Sequence, residues 1–429
     1  MAGPKALHGL LGGLGCVDVV ASTRTGAAAV VVALRTHRGA AHVQSIGVDL
    51  LECMLSTDPD VAVRGRRRSV VEVGGIGATA AAMRAHPDDA FVQSSACGAL
   101  SVMAGTEEVA AIAVAGCIVL IAAAMRTHPV DALVQSNACL ALSSMAVSEE
   151  HRAAIAEAGC VATIVAAMRT RPGDADVQSN ACLALSHMAE SEEHRAAIAA
   201  AGAIAAIVAA MRAYLGDCDV QSRACRALSR MARSEEHRAA IAAAGGIAAV
   251  PKAMGHHWDD DDVQLGACAA LAEMAASEEH RPAIAAAGGI VATVLACDAH
   301  PTNAGVRAYA CGSLAGMARS EEHRAAIAEA GGIYAVAAAM RSHPADALLQ
   351  HGACWALRGM AGSEEHRAAI AAAGAIAAVA AAMRAHPDYA FLQHNACWAL
   401  REMAGSEEHR AAIAAAGAAS ALTAFFPQG

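Results

Sequence analysis

The apolar positions of this chain fall into three registers that recur as one block. Read from Ser191, a polar opening (SEEHR) runs into AAIAAAG. A nearly continuous apolar stretch, AIAAIVAAMRAYLG, follows, and then DCDVQSRACRALSRMA, in which apolar and polar residues alternate at helical spacing. Each piece predicts a helix. Ser191 can offer its side-chain oxygen to the open N–H groups of a first turn, and Glu192 and Glu193 stand where carboxylates match the positive end of a helix dipole. Gly202 predicts the end of this short first helix, in a left-handed C′ position. A second helix is expected from about Ile204 to Arg212. In other copies it stops at His-Pro, as at His128-Pro129, His343-Pro344 and His386-Pro387, because proline cannot continue a helix and disfavours α backbone in the residue before it. An Asp-rich turn then opens the third helix.

The third helix predicts which way each face points. In the copy around Cys182, Val177, Ala181, Leu185 and Met188 fall within one stripe of about 80° at 100° per residue. That stripe is expected to face the core. Counting the cysteine as zero, the opposite stripe, at −3, −2, +1, +4, +5 and +8, holds the residues that vary from copy to copy, so recognition is expected there.

The block repeats with a fixed period. Cys97, Cys139, Cys182, Cys225, Cys268, Cys311, Cys354 and Cys397 are separated first by 42 residues and then by 43. Gly159, Gly202, Gly245, Gly288, Gly331, Gly374 and Gly417 keep the same step of 43, as do His151, His194, His237, His280, His323, His366 and His409. A register this constant predicts equivalent modules that each contact only their neighbours. The expected fold class is all-α, an α-solenoid of about nine three-helix repeats.

The string GAIAAVAAAMRAHPDYAFLQHNACWALREMAGSEEHRAAI, residues 374–413, resembles the armadillo-repeat family across its second helix, third helix and following first helix. The Ala-Cys-Trp-Ala-Leu core, the glycine before the second helix and the Val/Leu-Gln opening of the third carry the likeness. HEAT repeats, the nearest relatives, lack the short first helix. The resemblance covers roughly residues 27–424 and implies a right-handed armadillo superhelix that works as a non-catalytic protein-interaction scaffold, binding along the groove lined by the third helices. Residues 1–26 are expected to form an irregular segment or cap. A degenerate first repeat is expected over 27–55, regular repeats over about 70–405, capping helices over 406–424 and a tail over 425–429. About six extra residues near Ser56 to Ser69, with Arg64, Arg66, Arg67 and Arg68 among them, read as an insertion.

Composition sharpens this picture. Hydrophobic residues make up 56% of the chain but aromatic ones only 3%, so alanine supplies most of the apolar count and helices are expected to approach closely. The 14 cysteines do not read as a disulfide framework, since equivalent helices pack ~8–10 Å apart axis to axis, too far for an unstrained bridge. Buried thiols behave as small hydrophobes, and a reducing compartment is expected, the cytoplasm first and the nucleus as its alternative. Residues 6–20 follow Lys5 and are apolar, yet four glycines, His8 and Asp18 argue against a signal peptide. The uncharged run Val109 to Met125 is divided by Gly116, so no membrane span is expected. Position 2 is Ala2 rather than glycine, which removes the myristoylation signal.

Candidate chemistry is sparse. SEEHR groups Ser, Glu, His and Arg, but it reads as a helix cap, dipole-matched acids and a solvated outer ridge, without HExxH spacing. His256, His257, Trp258, Asp259, Asp260, Asp261 and Asp262 have metal-ligand types in one run, although adjacent side chains seldom give a defined coordination geometry; they read as a loop. Gly12-Gly13-Leu14-Gly15 and Gly74-Gly75-Ile76-Gly77 lack a P-loop lysine and read as turns. No catalytic residue, metal site or cofactor is expected.

Recognition residues are expected on the variable stripe. Arg223, Arg226, Arg230 and Arg233 fall within about 80° of one another on a helical wheel. On a chain of formal charge −10, such a face suits carboxylates or phosphates gripped by two parallel hydrogen bonds; pairing with Glu235 or Glu236 is the structural alternative. Further on, His351, Trp355 and Arg358 in one copy match His394, Trp398 and Arg401 in the next. The two tryptophans form a short aromatic ladder suited to an extended peptide. Importin-alpha-type armadillo proteins carry an asparagine four residues after such tryptophans. Here those places hold Gly359 and Glu402, so the transport-adaptor alternative is disfavoured, and an enzyme more so. The expected partner is a protein or peptide, acidic or phosphorylated near Arg223 to Arg233. Nucleic acid is not expected on an acidic chain with one strongly basic helix, and a monomer is.

Overall fold

Side chains inside each repeat fix where its helices start and stop. The computed structural model describes residues 24–56, 62–105 and 108–425, and among these every regular element is a helix. First helices open on the serine: the side chains of Ser148, Ser191, Ser320, Ser363 and Ser406 each accept from the backbone N–H three residues on. They close on glycine, with φ of 79° at Gly202 and 76° at Gly417, a conformation that costs other residues steric strain. Two first helices are shorter, Val109–Val114 and Arg281–Ala286, and in the second Pro282 has no N–H to close the preceding turn.

The Val/Leu-Gln opening of the third helix has a specific task. Nε2 of Gln135 donates to the carbonyls of Met125 and His128 at 2.8 and 2.9 Å, and Gln178, Gln264 and Gln350 repeat the arrangement. A buried amide thus satisfies the open C-terminal carbonyls of the second helix. The third helix is capped in turn by the Asp-rich turn: Asp131, Asp174, Asp217, Asp260 and Asp346 each accept from a first-turn N–H.

Packing divides the chain between Ala213 and Tyr214 into two compact units. In the first, third helices Ala41–Ser56, Ala90–Met103, Ala132–Met145 and Ala175–Met188 lie side by side, with the second helices packed against them. In the second unit the third helices are Cys218–Met231, Asp261–Met274, Ala304–Met317, Ala347–Met360 and Ala390–Met403. Val177, Ala181, Leu185 and Met188 are buried, as is their cysteine. Close approach has its own requirement: a Cβ at Gly266 would sit 3.1 Å from the Ser222 carbonyl oxygen and 3.2 Å from the Cys225 Cβ.

Three expectations are corrected. The opposite stripe of the third helix is narrower than a single-helix wheel implies, because Ser136 and Ser179 at −3 and Ser143 and Ser186 at +4 are buried against neighbouring third helices. The first helix begins at Arg24, three residues before the expected start, while 1–23 lie outside the described residues. The stretch read as an insertion holds a helix, Ala62–Glu72, that serves as the first helix of the Cys97 copy.

SEEHR is a solvated ridge only at its glutamates, of which Glu149, Glu192 and Glu235 stay exposed. His194, His237, His280, His323, His366 and His409 are buried. Glu149 reaches His194 Nδ1 of the next copy at 3.3 Å and its own Arg152 at 3.1 Å. The arginine also turns inward: Arg152, Arg195 and Arg367 donate to the carbonyls of Ala146, Ala189 and Ala361 at the end of the preceding third helix. The pentapeptide therefore ties copies together.

Candidate functional site

Helix Cys218–Met231 carries Arg223, Arg226 and Arg230, each partly exposed, and Arg233 follows just past its C-cap Ala232. Three of them make ion pairs with other carboxylates. Arg223 lies 3.7 Å from Asp219 on the same helix, Arg226 lies 3.6 Å from Asp262 and Arg233 lies 3.9 Å from Glu273, both on the next third helix. Glu235 goes instead to Arg238, with a charge-assisted bond that holds its carboxyl below the usual range. The Arg223, Arg226 and Arg233 guanidinium groups thus lie beside carboxylates at separations longer than a bidentate grip.

The tryptophans and their arginines interleave. The Arg319 guanidinium lies over the Trp355 ring at 5.9 Å, and Arg358 and Arg401 lie 4.8 and 5.0 Å from the Trp398 centroid. Trp355 thus carries one cation and Trp398 two, contacts that the π-face favours electrostatically. Arg319 was not among the expected residues; its +8 place in the variable stripe was the available signal. Polar partners hold the arrangement. Asn395 Nδ2 lies 2.9 Å from His351 Nε2, and Arg358 Nη1 donates to Asn395 Oδ1 at 3.4 Å. Burial pushes the His351 imidazole below its ordinary value, consistent with a neutral ring accepting from Asn395. His394 is exposed, with Trp398 at 6.3 Å and Phe425 at 5.6 Å.

The acidic run is absorbed by local structure. Asp260 caps the third helix, Asp261 bonds His300, Asp262 faces Arg226, and His257 Nε2 contacts the Leu215 carbonyl at 2.7 Å. Trp258 stays 64% exposed. Among the described residues no three His, Cys, Asp or Glu side chains gather as metal ligands. The repeat cysteines are hydrophobic rungs, with burial pushing Cys97 and Cys354 up to about 12. No single described helix is long and apolar enough to cross a membrane.

A three-helix unit that ends its first helix on a left-handed glycine and stacks its third helices side by side defines a helical repeat protein. A family model, the Armadillo/beta-catenin-like repeat, matches residues 148–190, one full copy of the period that runs through the chain. The chain is built as an all-helical repeat protein, and one copy of its repeat is similar to the armadillo repeat. Among solved structures, an engineered protein from the Northeast Structural Genomics Consortium is 28% identical over 93% of both chains, with a TM-score of 0.75. A second engineered protein from the same source is 25% identical and covers 58% of this chain and 98% of its own, with a TM-score of 0.51. A designed armadillo repeat protein in complex with the peptide (KR)4 is 23% identical over 57% of this chain and 99% of its own, with a TM-score of 0.47. No curated protein matches the chain.

Proposed function

We propose that this protein is a non-catalytic interaction scaffold that binds an extended or helical segment of a partner polypeptide along the face of its third helices. The contacts of Arg319 with Trp355 and of Arg358 and Arg401 with Trp398 carry this reading. Large aromatic faces and guanidinium groups on one partly exposed row are the residue types that dominate protein recognition. Their spacing from helix to helix suits successive side chains of one segment. Arg223, Arg226, Arg230 and Arg233 form a second contact region for acidic or phosphorylated residues, where a phosphate would displace the looser carboxylates now beside the arginines. The buried thiols fit a reducing compartment, the cytoplasm.

The transport-adaptor reading is weaker on the same residues. Arginines of this chain already stack on Trp355 and Trp398, so a basic peptide would have to displace them. Titration with a phosphorylated acidic peptide and with a basic peptide separates the two. The scaffold reading expects the acidic peptide to bind and to weaken on Arg226→Glu/Arg230→Glu. Preference for the basic peptide would replace it with the adaptor reading.

A further inference from the structure

On the far side of the repeat, the second helices end in an arginine that completes the next copy. Nη2 of Arg84 and Arg169 donates to the carbonyls of Ala115 and Ala201 at 2.6 and 3.0 Å, and Nη1 of Arg341 and Arg384 donates to those of Ala373 and Ala416 at 2.8 and 2.9 Å. Each of these carbonyls closes a first helix, at the negative end of its dipole. Two copies break the rule, and in the first of them helix Gly246–His256 carries Gly255 in the arginine position. A Cβ built there would meet nothing within 4 Å. Helix Gly289–Ala299 carries Asp298 in the same position one copy later.

The missing side chain leaves a groove of about 720 Å³ whose lining includes Gly255, Trp258, Ala287, Val291, Leu295 and Asp298. Ala287 is the counterpart of the carbonyl residue that an arginine completes in the four other copies. The walls are apolar and open, with Trp258 64% and Leu295 62% exposed. These places are mostly alanine elsewhere: Leu295 stands where other copies have Ala166, Ala209 and Ala338, and Val291 where they have Ala162, Ala205 and Ala248. The groove is thus enlarged in apolar surface where the arginine is lost, and Asp298 adds a carboxylate at one end. The buried Arg307, whose charge acts on Asp298, donates to Ser342 Oγ at 2.7 Å, and Lys252, exposed, is part of the lining.

We infer that this groove is a docking site for an arginine side chain of a partner polypeptide, flanked by leucine-like residues, which takes the place that the chain's own Arg84, Arg169, Arg341 and Arg384 fill in their copies. The aliphatic stem packs on Leu295 and Val291, the guanidinium plane meets Trp258, and its N–H groups reach the Ala287 carbonyl and the Asp298 carboxylate. The site lies on the second-helix side and is independent of the third-helix face.

The test uses the full chain with Trp355→Phe/Trp398→Phe, so that Trp258 reports alone. The probe is a blocked pentapeptide of alanine and leucine with one central arginine, compared with the same peptide carrying citrulline. The arginine peptide is expected to quench Trp258 saturably and to bind about tenfold more tightly than the citrulline peptide. Gly255→Arg, which restores the residue of the other copies, is expected to weaken it about tenfold or more, and Gly255→Ala to leave it unchanged. Equal binding of both peptides would make the groove a generic apolar site and overturn the proposal. So would no saturable binding of the arginine peptide, undiminished binding to Gly255→Arg, or equal losses in Gly255→Arg and Gly255→Ala.

Discussion

Arg233 and Arg319 occupy the same repeat position, eight residues after their cysteines, yet they do different things. Arg233 points toward Glu273 on the next third helix at 3.9 Å, whereas Arg319 lies over Trp355 on its next third helix. Trp355 and Arg226 also share a position, and Arg226 faces Asp262 of the following copy. At these positions the role of the arginine is set by the copy that follows. A carboxylate there leaves the cation partly neutralised, while a ring there leaves its charge in place and only orients it. The Cys225 region is thus ion-paired between copies, and the tryptophan region is stacked between them.

The largest effect should separate the two regions by ligand. Arg226→Glu/Arg230→Glu is expected to weaken a phosphorylated acidic peptide by about a hundredfold, as two charge-assisted contacts become repulsive. Trp355→Ala/Trp398→Ala should leave the same peptide within about threefold; anisotropy titrations read both. A conversion sharpens the contrast next. Trp398→Glu would place a carboxylate between Arg358 and Arg401 and turn a stacked rung into a paired one. It is expected to cost about tenfold in affinity for any segment bound on the ladder, with the thermal midpoint of the protein little changed.

Double-mutant cycles give smaller numbers. Arg358→Ala with Trp398→Ala should show a coupling of about 0.5–1 kcal/mol. Arg226→Ala with Asp262→Ala should show about 0.2–0.5 kcal/mol, as expected of a solvated pair, and should lose most of that in high salt. Smallest is the pH response of the ladder. The folded value of His351 is depressed by burial, so the folded protein takes up that proton less readily than the unfolded chain. Its contribution to stability is present above the ordinary imidazole range and lost as pH falls through it toward the folded value. Protonation also removes the acceptor for Asn395. NMR titration of His351 should give a midpoint below that of an exposed histidine.

Much of this was legible in the sequence because the determinants are local. The serine cap, the glycine C′, the Asp turn and the stripe of Val177, Ala181, Leu185 and Met188 lie within single helices or their junctions, where periodicity and capping chemistry apply directly. What escaped depends on the neighbouring copy. A helical wheel places Arg226 on a face but says nothing of Asp262, which approaches from another repeat. The same blindness hid the burial of the SEEHR histidines, since Glu149 meets His194 only once two first helices are stacked. Arg319 and the groove beside Gly255 were present as departures from the repeat pattern. Aligning every copy position by position, rather than reading the most regular ones, would have exposed them.

Recognition through the third-helix face is tested most directly by selecting binders from a random displayed peptide library against the full chain and titrating the dominant ones against the two paired variants. The account predicts that each dominant binder loses about tenfold or more in affinity with either Trp355→Ala/Trp398→Ala or Arg226→Glu/Arg230→Glu. Dominant binders that keep full affinity for both variants would contradict it.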